Sequence, residues 1–239
     1  IMGAFSGCEI TTASNNTILG CNGMRQLTTG SLNIAIGIKP APNQQTGTRN
    51  IYMGLFAGMG KTDGKYNVEI GDGAGKAMAF SNPGASGCQN TYLGSFAGDN
   101  QSYEFGDVSK FEGNTFLGAG AGRLQFYHNA PEVKKNIFLG NCSGTFFNAC
   151  YVPSYNRMVE NVVIGSCAAH YNSGAHNVFI GSYINRRDNT GIGFTYSATC
   201  YSIGIGHSVC LAKHQGDRQL AIGHSDYQWI IGDCDYNVG

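Results

Sequence analysis

The sequence predicts an all-β chain wound as a parallel β-solenoid, and three observations carry that prediction. A four-residue group precedes a recurring glycine, as in Asn16-Thr17-Ile18-Leu19-Gly20, Asn50-Ile51-Tyr52-Met53-Gly54 and Asn161-Val162-Val163-Ile164-Gly165. The first four intervals between such glycines are each 17 residues. No stretch shows the 3.6-residue apolar period of a helix. A short unit of β-type residues cannot bury its own apolar face and has to stack on its neighbours.

Fourteen registers follow from this unit, ending at Gly3, Gly20, Gly37, Gly54, Gly71, Gly94, Gly118, Gly140, Gly165, Gly181, Gly193, Gly206, Gly223 and Gly232. They predict a rod of about 14 short coils, roughly 65 Å long at the spacing of stacked strands. The glycine serves the corner: it reaches positive φ or lets adjacent backbones approach closely. A second tight corner is marked by Ala57-Gly58, Ala74-Gly75, Ala97-Gly98, Ala121-Gly122 and Ser143-Gly144.

Side chains alternate along a strand, so the residues one and three places before the glycine share a face. The first of these columns is aliphatic throughout, from Met2, Leu19 and Ile36 to Ile222 and Ile231. The second runs from Thr17, Ile34 and Ile51 to Leu220 and Trp229. Both are expected to face the solenoid core. The column between them is then expected to point outward, and it carries Tyr52, Tyr92, Phe116, Phe138 and Phe179. An exposed stripe of rings marks an interface, so these five are the expected oligomer contact, worth on the order of 10 kcal/mol per chain if covered. The alternative is a flattened solenoid whose other sheet covers the stripe.

Four places before the glycine stand Asn16, Asn33, Asn50, Asn67, Asn90, Asn114, Asn136, Asn161, Asn177 and Asn189, then Ser202, Gln219 and Gln228. In-register stacking puts each amide beside its copy in the next coil, where donor and acceptor can pair. This is a structural ladder, with no catalytic part.

The unit runs through the whole chain, which reads as one elongated domain over residues 1–239. Residues 1–75 form regular 17-residue coils, 76–160 carry long aromatic loops and 161–239 return to compact coils. Because the sequence starts and stops inside a repeat, it is expected to be a fragment of a longer chain. The loops at 76–89, 99–113, 123–135 and 145–160 project from one edge of successive coils. Their aromatics include Tyr103, Phe105, Phe126, Tyr127, Tyr151 and Tyr155. Clustered on a rigid scaffold these are candidate glycan-binding residues; the alternative is that they pack on each other and seal the chain interface.

Lys plus Arg equals Asp plus Glu at 15 each, so no basic footprint for nucleic acid or anionic membrane is present. No apolar run is long enough for a membrane-spanning helix, and membrane insertion is not expected. The nine cysteines are odd in number and lack short paired spacings, which argues against a disulfide framework and for assembly in a reducing cytoplasm. Cys142 and Cys167 share a column two residues after the glycine and read as small stacked side chains, with a disulfide open in oxidising surroundings.

His207 and His224 follow the glycine in successive coils, but with Cys200, Cys210, His214 and Cys234 they match no zinc-ligand spacing and read as ladder or interface residues. The glycines of Asp72-Gly73-Ala74-Gly75 and Gly118–Gly122 lack the following helix of a phosphate loop. No Ser-His-acid set or carboxylate pair stands at an interpretable spacing, so neither an enzyme nor a cofactor is expected. Three Asn-x-Ser/Thr matches, at Asn15, Asn100 and Asn141, are what chance gives in an Asn-rich chain.

The strands Asn67-Val68-Glu69-Ile70-Gly71, Asn114-Thr115-Phe116-Leu117-Gly118 and Asn177-Val178-Phe179-Ile180-Gly181 resemble the head repeats of trimeric autotransporter adhesins. They are still more similar to repeats in the tail-fibre proteins of tailed bacteriophages. The end, Gln228-Trp229-Ile230-Ile231-Gly232-Asp233, is similar to the stretch that leads toward the C-terminal chaperone of such fibres. The resemblance implies a left-handed β-roll assembled as an intertwined or side-by-side homotrimer. It also implies a shaft or receptor-contact segment of a virion tail fibre or similar extracellular filament, with the chain itself as main partner and a host-surface glycan or protein as another. The longer, uneven coils and the aromatic middle column depart from the adhesin pattern and favour the viral fibre.

Overall fold

The computed structural model describes residues 1–79, 87–102, 111–126, 132–148, 157–169, 172–184, 197–198, 200–211, 217–225 and 227–232. Among them there is no helix, and 21 strands form three sheets. The largest sheet has 12 strands: β1 (Thr17–Cys21), β2 (Ile34–Ile38), β3 (Ile51–Met53), β4 (Val68–Ile70), β6 (Thr91–Leu93), β9 (Thr115–Leu117), β12 (Ile137–Leu139), β15 (Val162–Ile164), β17 (Val178–Ile180), β19 (Ile203–His207), β20 (Leu220–His224) and β21 (Tyr227–Gly232). Neighbours from β1 to β20 are parallel and in register, one repeat opposite the next, as Thr115↔Ile137 and Phe116↔Phe138 illustrate. The chain is a parallel β-solenoid.

Two of the fourteen registers stand apart. β17 pairs directly with β19, and the Asn189–Gly193 register lies outside the described residues. The Gly232 register is no further parallel coil: β21 turns back and pairs antiparallel with β20. A reversed strand ends the parallel stacking and takes over the sheet edge.

The long connections of the middle segment are themselves solenoid wall. Each begins with a strand of a four-stranded parallel sheet, namely β5 (Ala77–Ala79), β7 (Asn100–Ser102), β10 (Leu124–Phe126) and β13 (Phe146–Asn148). Five returning segments build a five-stranded parallel sheet from β8 (Phe111–Glu112), β11 (Glu132–Lys134), β14 (Arg157–Val159), β16 (Asn172–Ala175) and β18 (Ser197–Ala198).

The facing of the large sheet is the reverse of the sequence expectation. The middle column is the core: Tyr52 and Phe116 are 0% exposed, Phe138 and Phe179 1% and Tyr92 2%, all within a single chain. Tyr92, Phe116 and Phe138 stack ring on ring at 5.0 and 4.8 Å, and Phe111, Val133 and Met158 of the five-stranded sheet belong to the same buried cluster. These rings are therefore no oligomer contact. The flanking aliphatic columns, expected inside, face out instead. The physical reason is strand length. A three-residue strand bounded by corners turns a single side chain into the narrow coil, and stacking lets that place take a whole ring.

The room for each ring comes from the second corner. Gly58, Gly75, Gly98, Gly122 and Gly144 have φ between 60° and 65°, and a Cβ there would run into the middle-column side chain of the same coil, Tyr52, Glu69, Tyr92, Phe116 and Phe138 in turn. Where the middle residue is smaller, a side chain takes the glycine's place: Ile18 goes with Met24, Ala35 with Ala41 and Val163 with Ala169. Val163 sits between Phe138 and Phe179, and its smaller side chain leaves a small cavity whose lining includes those three residues, Gly144, Ala169 and Gly174. V163F alone is expected to overpack against the Ala169 Cβ and lose about 1–3 kcal/mol. V163F/A169G restores the ring-and-glycine pairing and is expected to unfold at a higher urea concentration than the wild type.

Candidate functional site

The asparagine column is a continuous buried chain of hydrogen bonds. Asn114 is typical. Its Nδ2 donates to Asn90 Oδ1 at 2.9 Å and to the Val133 carbonyl at 2.8 Å. Its Oδ1 accepts the backbone N–H of Asn136 at 3.1 Å and the Asn136 Nδ2 at 2.9 Å. Both amide hydrogens and both oxygen lone pairs are used, and each residue ties three coils together. The pattern runs from Asn16 through Asn33, Asn50, Asn67, Asn90, Asn114, Asn136 and Asn161 to Asn177. It passes on through Ser202, whose N–H donates to Asn177 Oδ1 at 3.0 Å and whose Oγ accepts from the Gln219 N–H at 3.2 Å. Asn189 lies outside the described residues.

One rung puts a charge where its neighbours carry rings. Glu69 takes the middle-column place between Tyr52 and Tyr92, fully buried, and accepts a hydrogen bond from Lys61 Nζ, which itself lies 5.5 Å from the Tyr92 ring centroid. Its second carboxylate oxygen has no hydrogen-bond partner among the described residues. Burial raises the Glu69 pKa to about 7 against the opposing pull of Lys61. Burial, and then Glu69, likewise pushes the Tyr52 hydroxyl above its ordinary range, and that hydroxyl is hydrogen-bonded to Gln44 at 3.1 Å.

A carboxyl that holds its proton more tightly folded than unfolded stabilises the fold most below its unfolded pKa, and that contribution fades as pH rises through the folded value. Thermal midpoints should therefore fall between about pH 4.5 and 7 and level off above. E69Q should flatten that slope, and a wild-type midpoint that rises over the same interval would contradict the assignment.

Outward-facing ladders line the corners. Arg49 donates to the Tyr66 hydroxyl at 2.9 Å and lies over its ring. Lys135 and His176 both approach Glu160, at 3.4 and 3.2 Å, and His176 stacks on Tyr201. His207 and His224 stack at 5.1 Å. Tyr103, Phe105, Tyr127, Tyr151 and Tyr155, proposed from sequence for glycan contact, lie outside the described residues; Phe126 contributes backbone to β10.

The outer face of the large sheet carries rows of aliphatic side chains. Leu19, Ile34, Leu93, Ile137, Ile180 and Ile203 are 36–41% exposed although they sit in a regular sheet, and Ile38 reaches 56%. Sequence reasoning found these columns and their apolar character but placed them inside. The signal that orients them was present: Tyr52, Tyr92, Phe116 and Phe138 go with glycine six places on, and Ile18, Ala35 and Val163 with methionine or alanine. Such compensation in volume belongs to a core.

Compared with known proteins, the chain matches no family model, no curated protein and no solved structure.

Proposed function

We propose that this chain is a structural shaft segment of an extracellular filament, of the kind found in viral tail fibres, in which three copies pack through the outer faces of their large sheets. The observation that carries the reading is the pair of aliphatic columns left half-exposed along the length of the solenoid. Covering the remaining exposed fraction of each residue is worth about 1 kcal/mol, or on the order of 10 kcal/mol per chain over the face. The apolar ridges repeat at the rung spacing of roughly 4.8 Å, and the surface that meets such a ridge in step over many rungs is another copy of it. Three copies, rather than two, is the number the resemblance to tail-fibre repeats supplies.

Sedimentation mass tests this. The wild type should sediment at three times the chain mass of 25.4 kDa. I137S/I180S/I203S should lose that mass while keeping its β circular dichroism, because those side chains add little to the core of a single coil. A wild type that sediments as one chain at micromolar concentration ends the reading.

A further inference from the structure

Residues two places after the repeat glycine form a corner column with left-handed backbone, including Phe96 at φ 57°, Cys142 at 52°, Cys167 at 52° and Tyr183 at 58°. Two successive occupants are cysteines. β12 pairs with β15 residue for residue from Ile137↔Val162 to Leu139↔Ile164, so the corners that follow, Gly140 to Cys142 and Gly165 to Cys167, stack in step. Backbone bonds hold both in place: the Cys142 N–H donates to the Ala119 carbonyl at 2.9 Å and the Cys167 N–H to the Asn141 carbonyl at 2.8 Å. Among the described cysteines no other pair occupies one column in adjacent coils.

A rung spacing of roughly 4.8 Å falls within the Cα separation that disulfides span. The Cβ atoms need to approach by less than about 1 Å, which a corner with solvent on one side permits. Both thiols are free and partly exposed, so a small oxidant can reach them. Burial, and then the neighbouring Cys167 sulfur, raises the Cys142 thiol pKa, which lowers its thiolate fraction and slows exchange, so closure calls for an excess of the small disulfide. The same two rungs carry Phe138 and Val163, where the core is under-filled.

We propose that Cys142 and Cys167 are an oxidative modification site that closes into a disulfide between adjacent coils, clamping the solenoid at the under-filled rungs of Phe138 and Val163 once the chain meets a small-molecule disulfide. One cysteine thiolate attacks the small disulfide, forming a mixed disulfide and releasing one thiolate. The second cysteine thiolate attacks the protein sulfur of that bond and expels the other. Two electrons pass from the cysteine pair to the small disulfide, and the two thiol protons end on the two released thiols.

The test is incubation of the intact chain with excess oxidised glutathione, followed by maleimide blocking, peptide mapping by mass spectrometry and a thermal scan. The linked Cys142–Cys167 peptide should appear and the midpoint should rise by several degrees, reversibly with dithiothreitol. C142S/C167S should keep the reduced wild-type midpoint and show no rise on oxidation. Cys142 remaining open to maleimide, pairing elsewhere, or a linked peptide with an unchanged midpoint would each overturn the proposal.

Discussion

Gly94→Ala is expected to abolish stable folding of the stack, while Gly113→Asn, also at a left-handed position, is expected to be nearly neutral. Gly94 has φ +134°, a region in which side chains are essentially forbidden, and a Cβ there would lie 2.6 Å from both the carbonyl carbon and the oxygen of Gly118 in the next coil. The obstacle is backbone, which cannot swing away, and the two rungs would have to part. Strain and lost pairing together cost on the order of 4 kcal/mol or more, a large share of a domain's stability. Gly113 has φ +66°, and its nearest obstacle is the Lys135 side chain at 3.6 Å. The same column accommodates Gln89 at φ 59° and Lys135 at 54° without glycine. Urea midpoints of the soluble variants, with the yield of soluble chain as a second readout, separate the two cases. Equal loss in both would mean that positive φ alone, and no close approach, explains the repeat glycine.

The second large effect is expected at the centre of the amide ladder. Asn114→Ala strands the Val133 carbonyl, the Asn136 backbone N–H and one Asn136 amide hydrogen, all in a place that is 0% exposed. At roughly 1–3 kcal/mol for each unpaired buried group, the loss is about 5 kcal/mol. Asn114→Asp keeps the oxygens that accept from Asn136 but loses the donors to Asn90 and Val133, and is expected to be nearly as damaging. Asn16→Ala removes the same kinds of bond at the half-buried first ladder rung, where water can replace them, so its cost should be under half as large. A flat series, with Asn16 and Asn114 variants equally stable, would show that the ladder follows the stacking rather than supporting it.

These two columns explain why the architecture was legible before any coordinates. Glycine, asparagine and the aliphatic pair mark backbone events, a forbidden φ and an in-register amide pairing, and such events leave the same residue at every rung. The stacking direction, the rung spacing and the ladder follow from them. The facing of the strand was not legible in the same way, because an alternating strand offers two apolar faces here and uniform aliphatic character does not by itself mark the interior. Volume compensation was the better guide: Phe116 needs Gly122, Val163 tolerates Ala169, and such a rule operates between residues that touch inside a coil. Glu69 hid the pattern further by placing a carboxyl in a ring column, a substitution that Lys61 makes tolerable and that no local spacing announces. The end of the stack was also hidden, since Gln228–Gly232 keeps the repeat's letters while pairing antiparallel.

The assembly in turn depends on that facing. With rings internal and aliphatics external, the proposed contact between chains is built from Ile137, Ile180 and Ile203 rather than from Phe116, Phe138 and Phe179. A single-particle electron-microscopy reconstruction of the assembled rod, at a resolution that shows side chains, tests this most directly. It should show three chains with the aliphatic columns in mutual contact and an unbroken stack of Tyr92, Phe116 and Phe138 inside each chain. Rings pointing across the contact between chains, or a single isolated solenoid with its aliphatic face in water, would contradict it.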